Sequence, residues 1–277
     1  MIKIEEQNKN ISIDGIYSER DLQKLEKYSQ IEKLSLTGRE NITIKLAKSL
    51  ANLKSVKHLF LWSSVNRTAI KHIISIPDLE ILDILELQNP GKLKGFSEAI
   101  NLKKFRCNHY MSEADLIELA TLPKIQEIGA QNAELTKKSL ESLLKLPHLI
   151  NIDLEATNFN DHNAAMVANS TTIKHLSISA TKLTSKGLAK ISQMSQLKSL
   201  DIWSTDIFEK DLDHLKKLQN LEYLSIGGYE QQTRLTFKSI KQYLEQIPTL
   251  KKVWLDGIAL NKTETKEMES KYDYFRN

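Results

Sequence analysis

The chain has 277 residues, 40% hydrophobic and 27% charged, with a formal net charge of +4. This is the composition of a soluble globular chain, and so mild a positive balance does not by itself imply nucleic acid. The single cysteine excludes an intrachain disulfide framework, and no apolar run reaches the length of a signal peptide core or a membrane span, so a cytoplasmic location is expected.

In chain order, residues 1–30 come first. Ile11 and Ile13 alternate as in a strand, and Leu22 and Leu25 repeat at helical spacing, so this stretch is expected to be a degenerate N-terminal repeat acting as a cap. From residue 31 to 260 a short apolar phrase, leucine-x-x-leucine-x-leucine, then returns about ten times. It begins as Ile31/Leu34/Leu36 and Val56/Leu59/Leu61 and continues through Leu102/Phe105/Cys107, Leu149/Ile152/Leu154 and Leu197/Leu200/Ile202 to Leu250/Val253/Leu255. The step is 23 to 25 residues except between Leu221 and Leu250, where it is 29. A fixed period of this size marks a solenoid.

Within a unit such as Ile173 to Gln196, the alternation Leu176-Ser-Ile178 buries one face of a short strand. Thr184 or Ser185 then offers an N-cap to a helix carrying Leu188 and Ile191, expected to end near Ser195. Pro77, Pro123, Pro147 and Pro248 each stand two residues before a repeat's first position, where proline ends the helix and sets an extended entry. The charged stretch 261–277 is expected to form a C-terminal cap, which makes residues 1–277 a single domain.

The phrase and its period resemble those of bacterial leucine-rich repeat proteins. That resemblance implies an α/β solenoid, a right-handed horseshoe with a concave parallel β-sheet and short helices on the convex side. Many members carry asparagine or cysteine eight residues after the first leucine. This chain has Ser64, Thr157, Thr181 and Thr205 there, but Tyr110, Ala133 and Ile258 in other repeats, so uneven repeats are expected.

Strand alternation assigns the side chains between the core positions to the open face. All three tryptophans, Trp62, Trp203 and Trp254, fall on it, with Phe60 and Tyr223. Its acids are Asp83, Glu127, Asp153, Glu155, Asp201 and Asp256, and its bases Lys33, Lys104, Arg106 and Lys252. His175 is the one potential cation among Asp153, Glu155 and Asp201. Exposed aromatics anchor binding hot spots, and an acidic face on a basic chain points to a basic partner. The extra residues at 228–234 add Tyr229 and Arg234 as candidate contacts. The expected partner-binding set is therefore Phe60, Trp62, Asp83, Arg106, Asp153, Glu155, His175, Asp201, Trp203, Tyr223, Tyr229, Trp254 and Asp256.

No phosphate loop, dinucleotide glycine pattern, nucleophile elbow or metal-ligand spacing is present, so no enzymatic activity, cofactor or metal is expected. A hydrolase built on His175, Asp153 and Ser177 is the remote exception, and an open sheet offers it no water-excluding cleft. The expected function is recognition of a protein with a basic surface, most simply as a cytoplasmic inhibitor or immunity protein that neutralises a toxin or enzyme. An adaptor or a host-directed effector is the alternative. Neither nucleic acid nor membrane is an expected partner, and the unbound chain is expected to be a monomer.

Overall fold

A computed structural model describes residues 9–38, 41–88, 91–229 and 235–275. The chain divides into two compact units, Met1–Leu149 and Ile150–Asn277. In the first, strands β1 (Asn10–Asp14), β2 (Lys33–Thr37), β3 (His58–Asn66), β4 (Ile81–Gln88), β5 (Lys104–His109) and β6 (Glu127–Ala130) pair in sequence order, all parallel. Helices α1 (Glu19–Gln23), α2 (Ile44–Ala51), α3 (Ile70–Ile73), α4 (Glu113–Leu119) and α5 (Lys137–Leu144) connect or follow them. In the second, β7 (Asn151–Asp153), β8 (His175–Ser177), β9 (Ser199–Asp201), β10 (Tyr223–Gly227), β11 (Lys252–Asp256) and β12 (Asp273–Phe275) pair likewise. Their connections contain α6 (Asp161–Val167), α7 (Ser185–Ile191), a 3-10 segment Glu209–Lys217, α8 (Phe237–Leu244) and α9 (Lys262–Lys271).

The repeat strands carry the same apolar pair in register. Leu34/Leu36, Leu59/Leu61, Leu82/Ile84 and Phe105/Cys107 are buried in the first unit; Ile152/Leu154, Leu176/Ile178, Leu200/Ile202, Leu224/Ile226 and Val253/Leu255 are buried in the second. One repeat cannot cover its own apolar face, so stacking supplies the missing half. Cys107 follows this rule: it is buried, and burial pushes its thiol up to about 12, which makes it a core residue and not a nucleophile.

The turns that follow the strands repeat as well. Asn132, Ala156, Ala180 and Ser204 adopt left-handed backbone with φ of 52° to 56°. In three successive repeats the next residue is threonine, and its hydroxyl donates back to the strand's last core carbonyl: Thr157 to Leu154 at 2.8 Å, Thr181 to Ile178 at 2.6 Å and Thr205 to Ile202 at 2.7 Å. Each hydroxyl thus satisfies a carbonyl at the turn. Where the residue is Tyr110 the turn changes, with Tyr110 itself at φ 67° and exposed.

Thr184 is the N-cap of α7 and accepts from Lys186 N at 3.3 Å. Its own N–H and hydroxyl donate to Asp161 at 2.9 and 2.7 Å, as does Gly187 N at 3.0 Å. A Cβ on Gly187 would stand 2.5 Å from Asp161 Oδ1, so this carboxylate fixes glycine in the next repeat's helix. α7 ends at Ile191, earlier than its apolar spacing implies: Ser192 turns its hydroxyl onto the Ala189 carbonyl and a non-helical turn carries the chain onward.

The ends are closed differently. Ile11, Ile13, Leu22 and Leu25 of the N-terminal repeat are buried. At the C-terminus only Met268 of α9 is buried, and the chain adds β12 against β11, a strand with no apolar phrase to announce it.

Candidate functional site

Parallel register places the outward side chains of the second unit in rows. One row runs Asp153, Ser177, Asp201, Ser225 and Trp254 across β7 to β11. Adjacent strands lie about 4.8 Å apart, and like charges directly opposite repel. Serine on the intervening strand therefore holds Asp153 and Asp201 roughly 10 Å apart. The neighbouring row begins with Glu155, Ser179 and Trp203, kept in step by hydrogen bonds from Ala156 N to Ser179 O and from Ala180 N to Trp203 O. Ser204 N continues it to Gly227 O, and Gly227 pairs with Asp256.

The two aspartates also end their strands. Asp153 Oδ1 accepts from Glu155 N, and Asp201 Oδ1 accepts from Trp203 N, each at 3.1 Å. Both bonds orient the side chain that follows. Asp153 is only 8% exposed, less than strand alternation alone implies.

The rows converge on a cleft of about 280 Å³ lined by Glu155, Ser179, Asp201, Trp203, Tyr223, Ser225, Trp254 and Asp256. Six of these eight belong to the expected set. Burial pushes the Asp201 carboxyl up, and Asp153 adds to the rise while bonds from Trp203 N and Ser225 oppose it. Burial also raises Glu155, reinforced by Asp153 and Asp201. Tyr223 is raised by burial and then by Asp201. The cleft is therefore a place where negative charge is costly and a cation would relieve it.

Its aromatic wall is composite. Trp203 packs edge-on against Tyr229 with ring centroids 4.7 Å apart. Tyr229 remains 58% exposed, while the Trp203 indole N–H is buried without a hydrogen-bond partner among the described residues. Tyr229 stands two residues after Gly227, whose φ of 133° and closeness to the Asp256 carbonyl admit no side chain. Arg234 lies outside the described residues.

Beside this cleft lies a second of about 780 Å³, lined by His175, Lys198, Ser199, Glu222, Tyr223, Lys251, Lys252, Trp254 and Asp273. Tyr223 and Trp254 are shared, so they stand as the partition between an acidic compartment and a lysine-bearing one. Glu222 holds Lys198 at 2.9 Å and Lys251 at 3.0 Å. His175 stands in register with Asn151 and Ser199, in a different row from Asp153 and Ser177.

The remaining expected residues are in the first unit. Trp62 is 44% exposed and pairs in register with Thr37. Phe60 is half-buried, with Lys33 Nζ 4.8 Å from its ring centroid. Asp83, Arg106 and Gly129 share a row, and Arg106 lies across Gly129, where a Cβ would meet its Cγ at 2.7 Å. Burial raises Asp83 while Arg106 and Lys104 pull it back. Sequence reasoning did not single out Ser179 and Ser225 as site residues; their only signal was their place on outward positions beside acids. No group of three or more metal-ligating side chains occurs among the described residues, and none of their helices is long and apolar enough to cross a membrane.

Among solved structures, an internalin from Listeria monocytogenes is similar with a TM-score of 0.50 and 16% identity, covering 94% of this chain and 90% of its own. The mouse RP105/MD-1 complex gives a TM-score of 0.49 and 20% identity, covering 80% of this chain and 37% of its own. The fold is a leucine-rich repeat solenoid. No family model and no curated protein matches the sequence. What the solenoid contributes to function is a rigid sheet that carries side chains in fixed rows, and fold of this kind does not itself specify a job.

Proposed function

We propose that the protein is a non-enzymatic scaffold that binds another protein through the open sheet face of its second unit. The partner presents a basic contact surface, and covering it inhibits the partner, as a cytoplasmic inhibitor or immunity protein would. The observation that carries this is the cleft in which Glu155, Asp201 and Asp256 meet Trp203, Tyr223 and Trp254. Large amphipathic rings held by a rigid sheet give contact area at little entropic cost, and clustered acids steer and select basic surfaces. The lone thiol is buried in the core, which suits a reducing compartment.

The test is affinity purification from the native cell with three baits: wild type, Trp203→Ala and Lys190→Ala, the last an exposed residue of α7. A hot-spot tryptophan is worth about 2 kcal/mol or more, a loss of roughly 30-fold in affinity. The expected result is a basic protein retained by wild type and Lys190→Ala and depleted by Trp203→Ala. Retention by Trp203→Ala together with loss from Lys190→Ala would place the interface on the helical side and overturn the proposal.

A further inference from the structure

Building on the proposed function, we infer that the cleft between Trp203, Tyr223 and Trp254 receives one arginine side chain of the partner polypeptide, its guanidinium set against Glu155 and Asp201. Three observations lead there. The first is size: about 280 Å³ is at the lower limit of small-ligand pockets, enough for a side chain and too little for a helix or strand. The second is the combination of walls. Rings and carboxylates alternate around it, Asp201 beside Trp203 at the end of β9 and Asp256 beside Trp254 on β11, and together they match a group that is planar, stacks on aromatic faces and carries a fork of donors; a lysine ammonium is a compact, strongly hydrated point charge that uses only the carboxylates.

The third is charge. Asp153 shares the row of Asp201 two strands away, is buried and does not line the cleft, and its negative charge adds to that of Glu155 and Asp201. A cation entering the cleft meets Glu155 and Asp201, each of whose carboxyls is raised by a neighbouring acid, whereas the nearest acid to the first unit's aromatics, Asp83, has its rise opposed by Arg106 and Lys104. Charge complementarity therefore favours this cleft over the surface around Trp62. Because the raised carboxyls take up protons more readily than ordinary ones, occupancy weakens as pH falls through the acidic range.

The experiment uses the full chain labelled with ¹⁵N and follows the three tryptophan indole N–H resonances, assigned with Trp→Phe variants. The probes are acetyl-Gly-Arg-Gly-amide and its citrulline, lysine and trimethyl-lysine counterparts. The expected result is a saturable shift of the Trp203 and Trp254 signals with the arginine peptide while Trp62 stays still. Citrulline, which keeps the shape and loses the charge, should bind at least tenfold more weakly, and lysine several-fold more weakly. Asp201→Asn and Glu155→Gln, checked for an unchanged spectrum when free, should each reduce the arginine response several-fold. Equal binding of arginine and citrulline, tighter binding of trimethyl-lysine, or equal shifts at Trp62 would each overturn the inference. The defined peptides need no partner: a negative titration beside a Trp203-dependent capture removes the arginine occupant and leaves the protein-binding function standing.

Discussion

At the scale of the residue, Asp201 carries two duties that pull apart. Its carboxylate terminates β9 by accepting from Trp203 N, a role an amide oxygen performs equally well. Its charge has no such structural use, and burial makes it costly. A carboxyl whose folded pKa lies above its unfolded value binds protons more tightly when folded. Stability is then lost as pH rises from the ordinary aspartate value, about 3.9, through the raised one, and stays lowered above it. Asp201→Asn lacks this loss. The melting temperature of the variant should match wild type near pH 3 and exceed it increasingly toward neutral pH, even as binding falls. Parallel melting curves across that range would contradict a charge maintained for recognition. The outward position of Asp201 was legible from alternation alone. Its neighbours were less so, because the serines that space the acids and the Tyr229 ring packed on Trp203 are meaningful only after register aligns separate repeats.

At the scale of the element, the first unit is pinned by a charge pair that periodicity could not reveal. Arg67 begins a short 3-10 turn after β3 and sits at a connection where arginine ordinarily reads as solvated. It is instead buried, donating to Asp115 at 3.0 Å and to the Gln88 carbonyl at 2.7 Å, with the Tyr110 carbonyl as a further partner. Asp115 also accepts from Leu93 N at 3.3 Å and from Ser112 N at 2.9 Å, so one carboxylate joins the N-terminus of α4 to two other segments. Removing one partner of a buried pair leaves an uncompensated charge, at a cost of about 3–5 kcal/mol. Asp115→Ala should lower the denaturation midpoint accordingly, whereas removing an exposed pair, as in Glu80→Ala beside Lys103, should change it by less than about 1 kcal/mol. Similar midpoints for the two variants would show that the network is dispensable. The strands around it were predictable because their apolar phrase is local; Arg67 and Asp115 are 48 residues apart, and nothing in either neighbourhood announces the other.

At the scale of the whole molecule, legibility follows from how a solenoid is stabilised. Each repeat contacts its neighbours, so the information that fixes the fold is short-range and written many times over. The inward pairs from Leu34/Leu36 to Val253/Leu255 follow from that redundancy. β12 does not, since an end strand needs only one neighbour and so can do without the phrase. The same organisation governs how the molecule comes apart. Leu200 is fully buried at the centre of β9, between Leu176 and Leu224 on the flanking strands. Leu200→Ala deletes buried methyl groups and leaves a cavity, at a cost of about 2–5 kcal/mol. In a compact core that loss would be felt globally, but in a repeat array it falls first on adjacent interfaces. Native-state hydrogen exchange should show β8, β9 and β10 losing protection by this amount while β2, β3 and β4 keep theirs. A uniform loss across all six strands would mean that the chain unfolds as one cooperative body, and the nearest-neighbour account of its stability would have to be abandoned.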